Sequence, residues 1–371
     1  MIASHPRPAE LVESLGERAE ALCAIPSPTG AEGEISAELE TWAKALFPAV
    51  QRVKSSLVVW VDGQGEGAVD PARPLILLVG HVDTVPIPEA DRGRQPRREG
   101  GRLHGPGASD MKGGVALMME LAERLPRAER FCDLALVLYA REEGPFLENE
   151  LGDVLREVPA LSRAALAICP EPSDNVLQLG CLGSIHATFT FSGRSAHSAR
   201  PWQGENAIQK AGALLVELAG RAPREARSGG HLFREVISAT RIEGGRARNV
   251  IPDRCTLNLN FRFAPDRTLE AASEELRALA RRHGAAIDLV DLSPACPAYG
   301  DHPLVRRLLE RTGVKAESKQ AWTDVARLSA HGIPAVNFGP GEPSQAHQQG
   351  EWADLAALER GYELFEKFLR G

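Results

Sequence analysis

The chain of 371 residues has no C-x-x-C pair, and its six cysteines (23, 132, 169, 181, 255 and 296) are far apart. That spacing argues against a disulfide framework or a thiolate metal site and for buried thiols in a reducing compartment. No apolar run approaches the roughly 20 residues of a membrane span. The opening MIASHPRPAELVESLGERAEAL also lacks the basic and apolar regions of a signal peptide. A soluble, cytoplasmic protein with no membrane contact is expected. The net charge is −7 with basic residues scattered, so no nucleic-acid partner is expected. There is no G-x-S-x-G nucleophile elbow. The one Gly-rich loop that opens a helix, GPGASDMKGG, lacks both the Lys-Ser/Thr ending of a P-loop and the G-x-G-x-x-G spacing. Internal repeats and low-complexity tracts are missing too.

What is present is globular: 43% hydrophobic and 25% charged residues exclude disorder, and the length suits two cores. The runs LVVWV (57–61), LILLV (75–79), LALVLYA (134–140) and ALAIC (165–169) read as strands, and Met111–Leu125 as a helix. Near-continuous apolar strands alternating with helices imply an α/β fold: a mixed, mostly parallel sheet with helices on both faces. From about residue 182 the pattern changes. SIHATFTF and TLNLNFRF alternate strictly, as half-exposed antiparallel strands do. With helices near 206–219 and 268–282, and strands near 235–242 and 286–291, the order is β-α-β-β-α-β, an α+β ferredoxin-like unit. The α/β pattern returns after Pro294 with PLVRRLLERTG, PAVNF and a terminal amphipathic helix. The expected organisation is one discontinuous domain, 1–180 and 293–371, carrying an inserted domain, 181–292. A long loop is expected around 88–102, rich in Arg and Gly.

The polar residues that follow the strands carry the chemistry. His81 and Asp83 come after LILLVG, Glu142 and Glu143 after LALVLYAR, and Glu171 after ALAICP. Asp110 ends GPGASD before a helix, and His347 lies beyond PAVNFGPGEPSQA. Each has an ordinary explanation alone: surface residues for most, a helix cap for Asp110. Together they fall where α/β sheets gather ligands, past the carboxyl ends of strands. Crowded carboxylates repel one another, and His with Asp/Glu but no Cys suits Zn²⁺ or a similar divalent ion.

The motifs GHVDTVP, GPGASDMKGG, REEG, PEP and the late His347 resemble the M20 metallopeptidase family of di-zinc aminoacylases, deacylases, carboxypeptidases and aminopeptidases. Within it, GRSAHSARPWQGENAI, IEGGRARNVIPD, NFRFAPD and WTDVARLSAHGIPAVNFGPG most resemble actinobacterial-type succinyl-diaminopimelate desuccinylases. The resemblance implies a zinc aminopeptidase-like catalytic domain with an inserted lid and dimerisation domain, a small acylated amino-acid substrate and a homodimer. It implies two metal ions, zinc with cobalt or manganese as alternatives. His81, Asp110 and Glu171 would hold one, and Asp110, Glu143 and His347 the other. Asp83 would orient His81, Glu142 would be the general base, its side chain pointing opposite to Glu143 in an extended dyad, and His197 would stabilise the oxyanion. Arg262 matches a substrate-carboxylate arginine, and Asn249 and Thr323 are further substrate contacts. One departure is GCLGS, with Cys181 and Leu182 where some desuccinylases carry arginine. That leaves N-acetyl-amino-acid deacetylase, carboxypeptidase and dipeptidase activities as alternatives.

Overall fold

The apolar run at 75–79 forms the strand Leu75–His81, and all of its residues are buried. A strand wet on neither face needs an unbroken apolar sequence, and each large side chain it buries contributes about 2 kcal/mol. In the computed structural model, which describes residues 8–63, 72–93 and 95–371, this strand lies inside an eight-stranded sheet. The order is Ala49–Val53, Ser56–Trp60, Asp133–Tyr139, Leu75–His81, Ala164–Cys169, Ala335–Asn337, Leu177–Leu179, Ala316–Ser318. The four strands from Asp133–Tyr139 to Ala335–Asn337 run parallel. Ala49–Val53, Ser56–Trp60 and Leu177–Leu179 pair antiparallel. His81 sits opposite Tyr139, so two of the site-bearing loops leave the sheet at the same level.

The helix Gly113–Arg124 packs on this strand so closely that a Cβ at Gly80 would meet Met118 Sδ at 2.9 Å and Met111 Cε at 3.0 Å. A Cβ at Gly114 would strike Pro170 O at 2.4 Å, which places the helix start against the Glu171 loop. The C-terminal helix Leu355–Leu369 is capped by Asp354, whose side chain accepts the Ala357 N–H, and it buries Leu358, Phe365 and Phe368. The chain divides into two units, residues up to Leu179 with Tyr299–Glu317 and Arg327–Gly371, and Gly180–Ala298 with Ser318–Ala326.

The second unit is an antiparallel sheet ordered Arg224–Ser228, His231–Gly244, Arg254–Phe263, Gly183–Ser192, Ala286–Ser293. Its alternating residues Ile185, Ala187, Phe189 and Phe191 meet Leu257, Leu259, Phe261 and Phe263 in one core. The helices Ala207–Ala219 and Leu269–His283 cover that core, capped by Asn206 and Thr268. Two expectations need correction. The unit has an additional edge strand, Arg224–Ser228, too short and polar to show an alternating pattern. The segment read as a loop at 88–102 instead contains Arg97–Glu99 and begins Arg102–His104, which form a three-stranded sheet with Trp352–Asp354. That pairing is held by contacts almost 250 residues apart, including Arg102 stacked on Trp352 at 3.7 Å, so local sequence carries little sign of it.

Among the described residues no helix is long and apolar enough to cross a membrane. All six cysteines are free and buried. Burial pushes the Cys23 and Cys132 thiols up to about 12. At pH 8 roughly one such thiol in ten thousand is the reactive thiolate. A thiol-titrating disulfide reagent at pH 8 is therefore expected to modify fewer than one cysteine per folded chain in minutes, and all six after denaturation. Fast reaction of two or more in the folded chain would contradict the packing.

Candidate metal centre

Asp110 decides between the two readings of its loop. Regular helix begins at Gly113, and its N-terminus has no side-chain cap. Asp110 and Met111 are non-helical, at φ −121°, ψ 91° and φ −133°, ψ 36°, and the peptide between them is cis. No N–H of the helix donates to the Asp110 carboxylate, which is therefore no helix cap. Its Oδ1 lies 3.2 Å from His81 Nε2, and its Oδ2 lies 3.7 Å from His347 Nε2. His347 Nε2 is also 3.0 Å from Glu143. Side-chain atoms of His81, Asp110 and Glu171 come within 4.8 Å of one another, as do those of Asp110, Glu143 and His347. His81, Glu142 and Glu143 form a third such group.

Asp83 is the anchor beneath these groups. It is fully buried, and its carboxylate accepts the backbone N–H of Glu142 at 3.0 Å and of Glu143 at 3.1 Å. The Thr29 hydroxyl donates to it at 2.9 Å. His81 Nδ1 lies 3.0 Å from the Asp83 carbonyl oxygen and 3.5 Å from its carboxylate. One residue thus fixes both the His81 ring and the two-glutamate turn, a wider task than orienting an imidazole. Burial acts to raise the Asp83 pKa, but hydrogen bonding to His81 and to the Glu142 amide outweighs it and holds the pKa below the usual value.

The expectation that Glu142 and Glu143 point apart fails. It assumed extended backbone, whereas Arg141 has φ 65° and the dyad lies in a turn, so both carboxylates approach the His81 ring. Thr29 and Glu351 escaped sequence reading. Glu351 is half-buried, and its carboxylate accepts three N–H groups from the Asp110 loop. Its one available signal is its place four residues after His347.

The electrostatics test whether cations fit. Two carboxylates 4–5 Å apart repel by about 3–4 kcal/mol at an effective dielectric of 20. Asp110 approaches both Glu143 and Glu171 this closely, as Glu142 does Glu143. Burial acts to lower the His81 pKa, but hydrogen bonding to Asp110 and Asp83 overrides it and holds the ring well above its ordinary value. Hydrogen bonding to Glu143 carries His347 up to about 9. Both shifts report excess negative charge, which divalent cations would answer. With two imidazoles, four carboxylates and no thiolate, the donor set suits zinc-type ions.

Residues 77–371 match the profile "Peptidase family M20/M25/M40". The chain belongs to this family. As a family member it is a hydrolase, and M20 peptidases are dinuclear metal enzymes. It is 37% identical to a candidate succinyl-diaminopimelate desuccinylase of Mycobacterium tuberculosis, over 95% of this chain and 96% of that one. It is 36% identical to the succinyl-diaminopimelate desuccinylase of Corynebacterium glutamicum, over 91% and 93%. The M20 fold is shared with the aminopeptidase PepT of Bacillus cereus, at TM-score 0.79 and 19% identity over 96% and 98% of the two chains.

The other residues expected from the sequence to serve a site, His197, Asn249, Arg262 and Thr323, belong to the second unit. His197 and Asn249 lie on adjoining segments, with Ser198 N–H donating to Asn249 O at 2.9 Å. His197 is exposed, and its Nδ1 accepts the Ala199 N–H at 3.1 Å, so a neutral ring carries its proton on Nε2. Arg262 is half-buried, and its Nε donates to Asn260 Oδ1 at 2.9 Å, while Asn260 Nδ2 lies 2.8 Å from His186 Nε2. No acceptor among the described residues hydrogen-bonds the terminal Arg262 nitrogens, and burial holds its pKa below the usual arginine value. Thr323 is buried, and its carbonyl accepts from Cys181 Sγ at 3.7 Å.

Asp83→Asn turns an amide group towards backbone N–H donors and is expected to destabilise the protein by about 2–5 kcal/mol. The readout is a lower urea midpoint with an unchanged slope. An unaltered midpoint would mean that the carboxylate is not the anchor.

Proposed function

We propose that the protein is a succinyl-diaminopimelate desuccinylase, hydrolysing N-succinyl-LL-2,6-diaminopimelate to succinate and LL-diaminopimelate. The observation that carries the reading is the junction of two ligand triads at Asp110, in a chain 36% identical along nine-tenths of its length to a desuccinylase. His81, Asp110 and Glu171 would hold one divalent ion and Asp110, Glu143 and His347 the other, with zinc favoured and cobalt or manganese acceptable to the same donors. Such ions, when bound, acidify water and polarise a carbonyl oxygen.

Glu142 has no place in either of those two triads and serves as general base. Its carboxylate takes a proton from the attacking water, whose oxygen bonds to the amide carbon. The protonated Glu142 then gives that proton to the departing amine nitrogen as the C–N bond breaks. The backbone hydrogen bond from Glu142 to Asp83 keeps this side chain on the turn. His197 Nε2–H is a donor for the carbonyl oxygen as negative charge develops there, a contribution of about 3 kcal/mol. The unpartnered guanidinium face of Arg262 suits a substrate carboxylate through a bidentate pair. Asn249, beside His197, and Thr323 are further substrate contacts.

The proposed assembly is a homodimer through the inserted unit, in which His197 serves the metal centre of the neighbouring subunit. In support, strand His231–Gly244 pairs with Arg224–Ser228 only over residues 231–235, so among the described residues no strand pairs with its second edge from Val236 onward. Ile242, at 51% exposure, lies on that segment. Six reduced, buried thiols favour a cytoplasmic setting.

The deciding experiment ranks N-succinyl-LL-diaminopimelate, N-acetylornithine and dipeptides by kcat/KM with the zinc-loaded enzyme. The succinyl substrate is expected to lead; inertness towards it, with turnover of an acetyl substrate or a dipeptide, would replace the substrate assignment. Glu142→Gln is expected to keep both metal ions and lose about 10²–10⁴-fold in kcat. Wild-type turnover in that variant would remove the base assignment.

A further inference from the structure

Asp110 occupies a backbone conformation that the following helix does not dictate, because that helix starts at Gly113 and has no side-chain cap. Glu351 supplies the missing restraint. Its Oε2 accepts the Gly107 N–H at 2.8 Å, and its Oε1 accepts the Ser109 N–H at 2.8 Å and the Asp110 N–H at 2.9 Å. The Glu351 carbonyl accepts the Gly105 N–H at 3.1 Å. Four hydrogen bonds therefore join one residue to the segment 105–110. Ser109 Oγ adds a fifth tie, to the Glu342 carbonyl at 3.0 Å. Glu342 and Glu351 flank His347 in sequence, so both sides of the His347 loop are fastened to the loop that carries Asp110.

Glu351 itself belongs to none of the side-chain groups close enough to share an ion. It also has no part in the proton transfers assigned to Glu142. We infer that Glu351 is a positioning residue of the metal centre, a carboxylate clamp that sets Asp110 against His347 so that one carboxylate faces both ligand groups. The inference rests on the two-ion reading above. Glutamate is the residue type the clamp needs. Two anionic oxygens take three amide hydrogens, and charge-assisted bonds of this kind are the strong ones. Glutamine keeps the length but offers one acceptor oxygen, and it turns an N–H₂ group towards an N–H. The loop must then shift, and Asp110 loses its place between the two imidazoles.

The test is a Co²⁺ titration of the full chain stripped of metal, followed by visible absorption, for wild type, Glu351→Gln and Ser109→Ala. Wild type is expected to take up two ions. Glu351→Gln is expected to bind at least one of them about 10–100-fold more weakly, the loss typical when a group behind a metal ligand is removed. Its cobalt absorption bands should also be displaced. Ser109→Ala keeps the three amide donors and loses only the tie to Glu342, so its affinity and spectrum are expected to change less than those of Glu351→Gln. Two ions with unchanged affinity and spectrum in Glu351→Gln would overturn the clamp while leaving the two-ion reading intact. No cobalt uptake by wild type would overturn both. If Glu351→Gln does not fold, hydrogen exchange on the metal-free wild type decides. Slow exchange at Gly107, Ser109 and Asp110 supports the clamp, and exchange at the rate of open loop amides overturns it.

Discussion

Like charges gathered at one sheet edge are the constraint on which this structure turns. Four carboxylates and two imidazoles meet where the parallel strands end. Left to themselves such groups spread into solvent, since each close pair costs several kcal/mol. Two carboxylates of a second kind hold them in place. Asp83 takes the amides of the two-glutamate turn, and Glu351 takes those of the Asp110 loop. Backbone N–H groups, which any buried loop must satisfy, become the means of fixing side chains that repel one another.

The parallel sheet makes that arrangement possible. Its central strands are apolar on both faces, and polar residues collect at the strand ends. His81 leaves the sheet level with Tyr139, three residues before Glu142. Glu171 follows Cys169, and the absence of a Cβ at Gly114 lets the helix after Asp110 approach that loop. The scaffold thus delivers ligands from five distant segments without a single disulfide. The inserted unit follows a different rule: one apolar face covered by helices, one polar face on which Asn260 holds Arg262 in place.

Much of this was legible in the sequence because the informative signals are local. A run such as LILLVGHVD declares a buried strand and a polar terminus within a few residues, and strict alternation in TLNLNFRF declares a half-wet one. The caps Asn206 and Thr268 lie at the boundaries that periodicity suggests. What escaped is non-local. Glu351 earns its place from amides about 240 residues away, and nothing in HQQGEW announces them. The turn at Arg141, which brings Glu142 and Glu143 to the same side, depends on anchoring by Asp83 rather than on any propensity of REEG. The strands at 97–99, 102–104 and 352–354 are short, and long-range pairing rather than alternation makes them a sheet.

The shared carboxylate of Asp110 is the claim most directly open to measurement. Crystals of the zinc-loaded protein, recorded at wavelengths either side of the zinc absorption edge, give an anomalous difference map that locates each ion without reference to the protein. Two peaks are expected, one beside His81 and Glu171, the other beside Glu143 and His347, with one Asp110 oxygen bound to each. A single peak, or two peaks that Asp110 does not join, would contradict the two-ion centre.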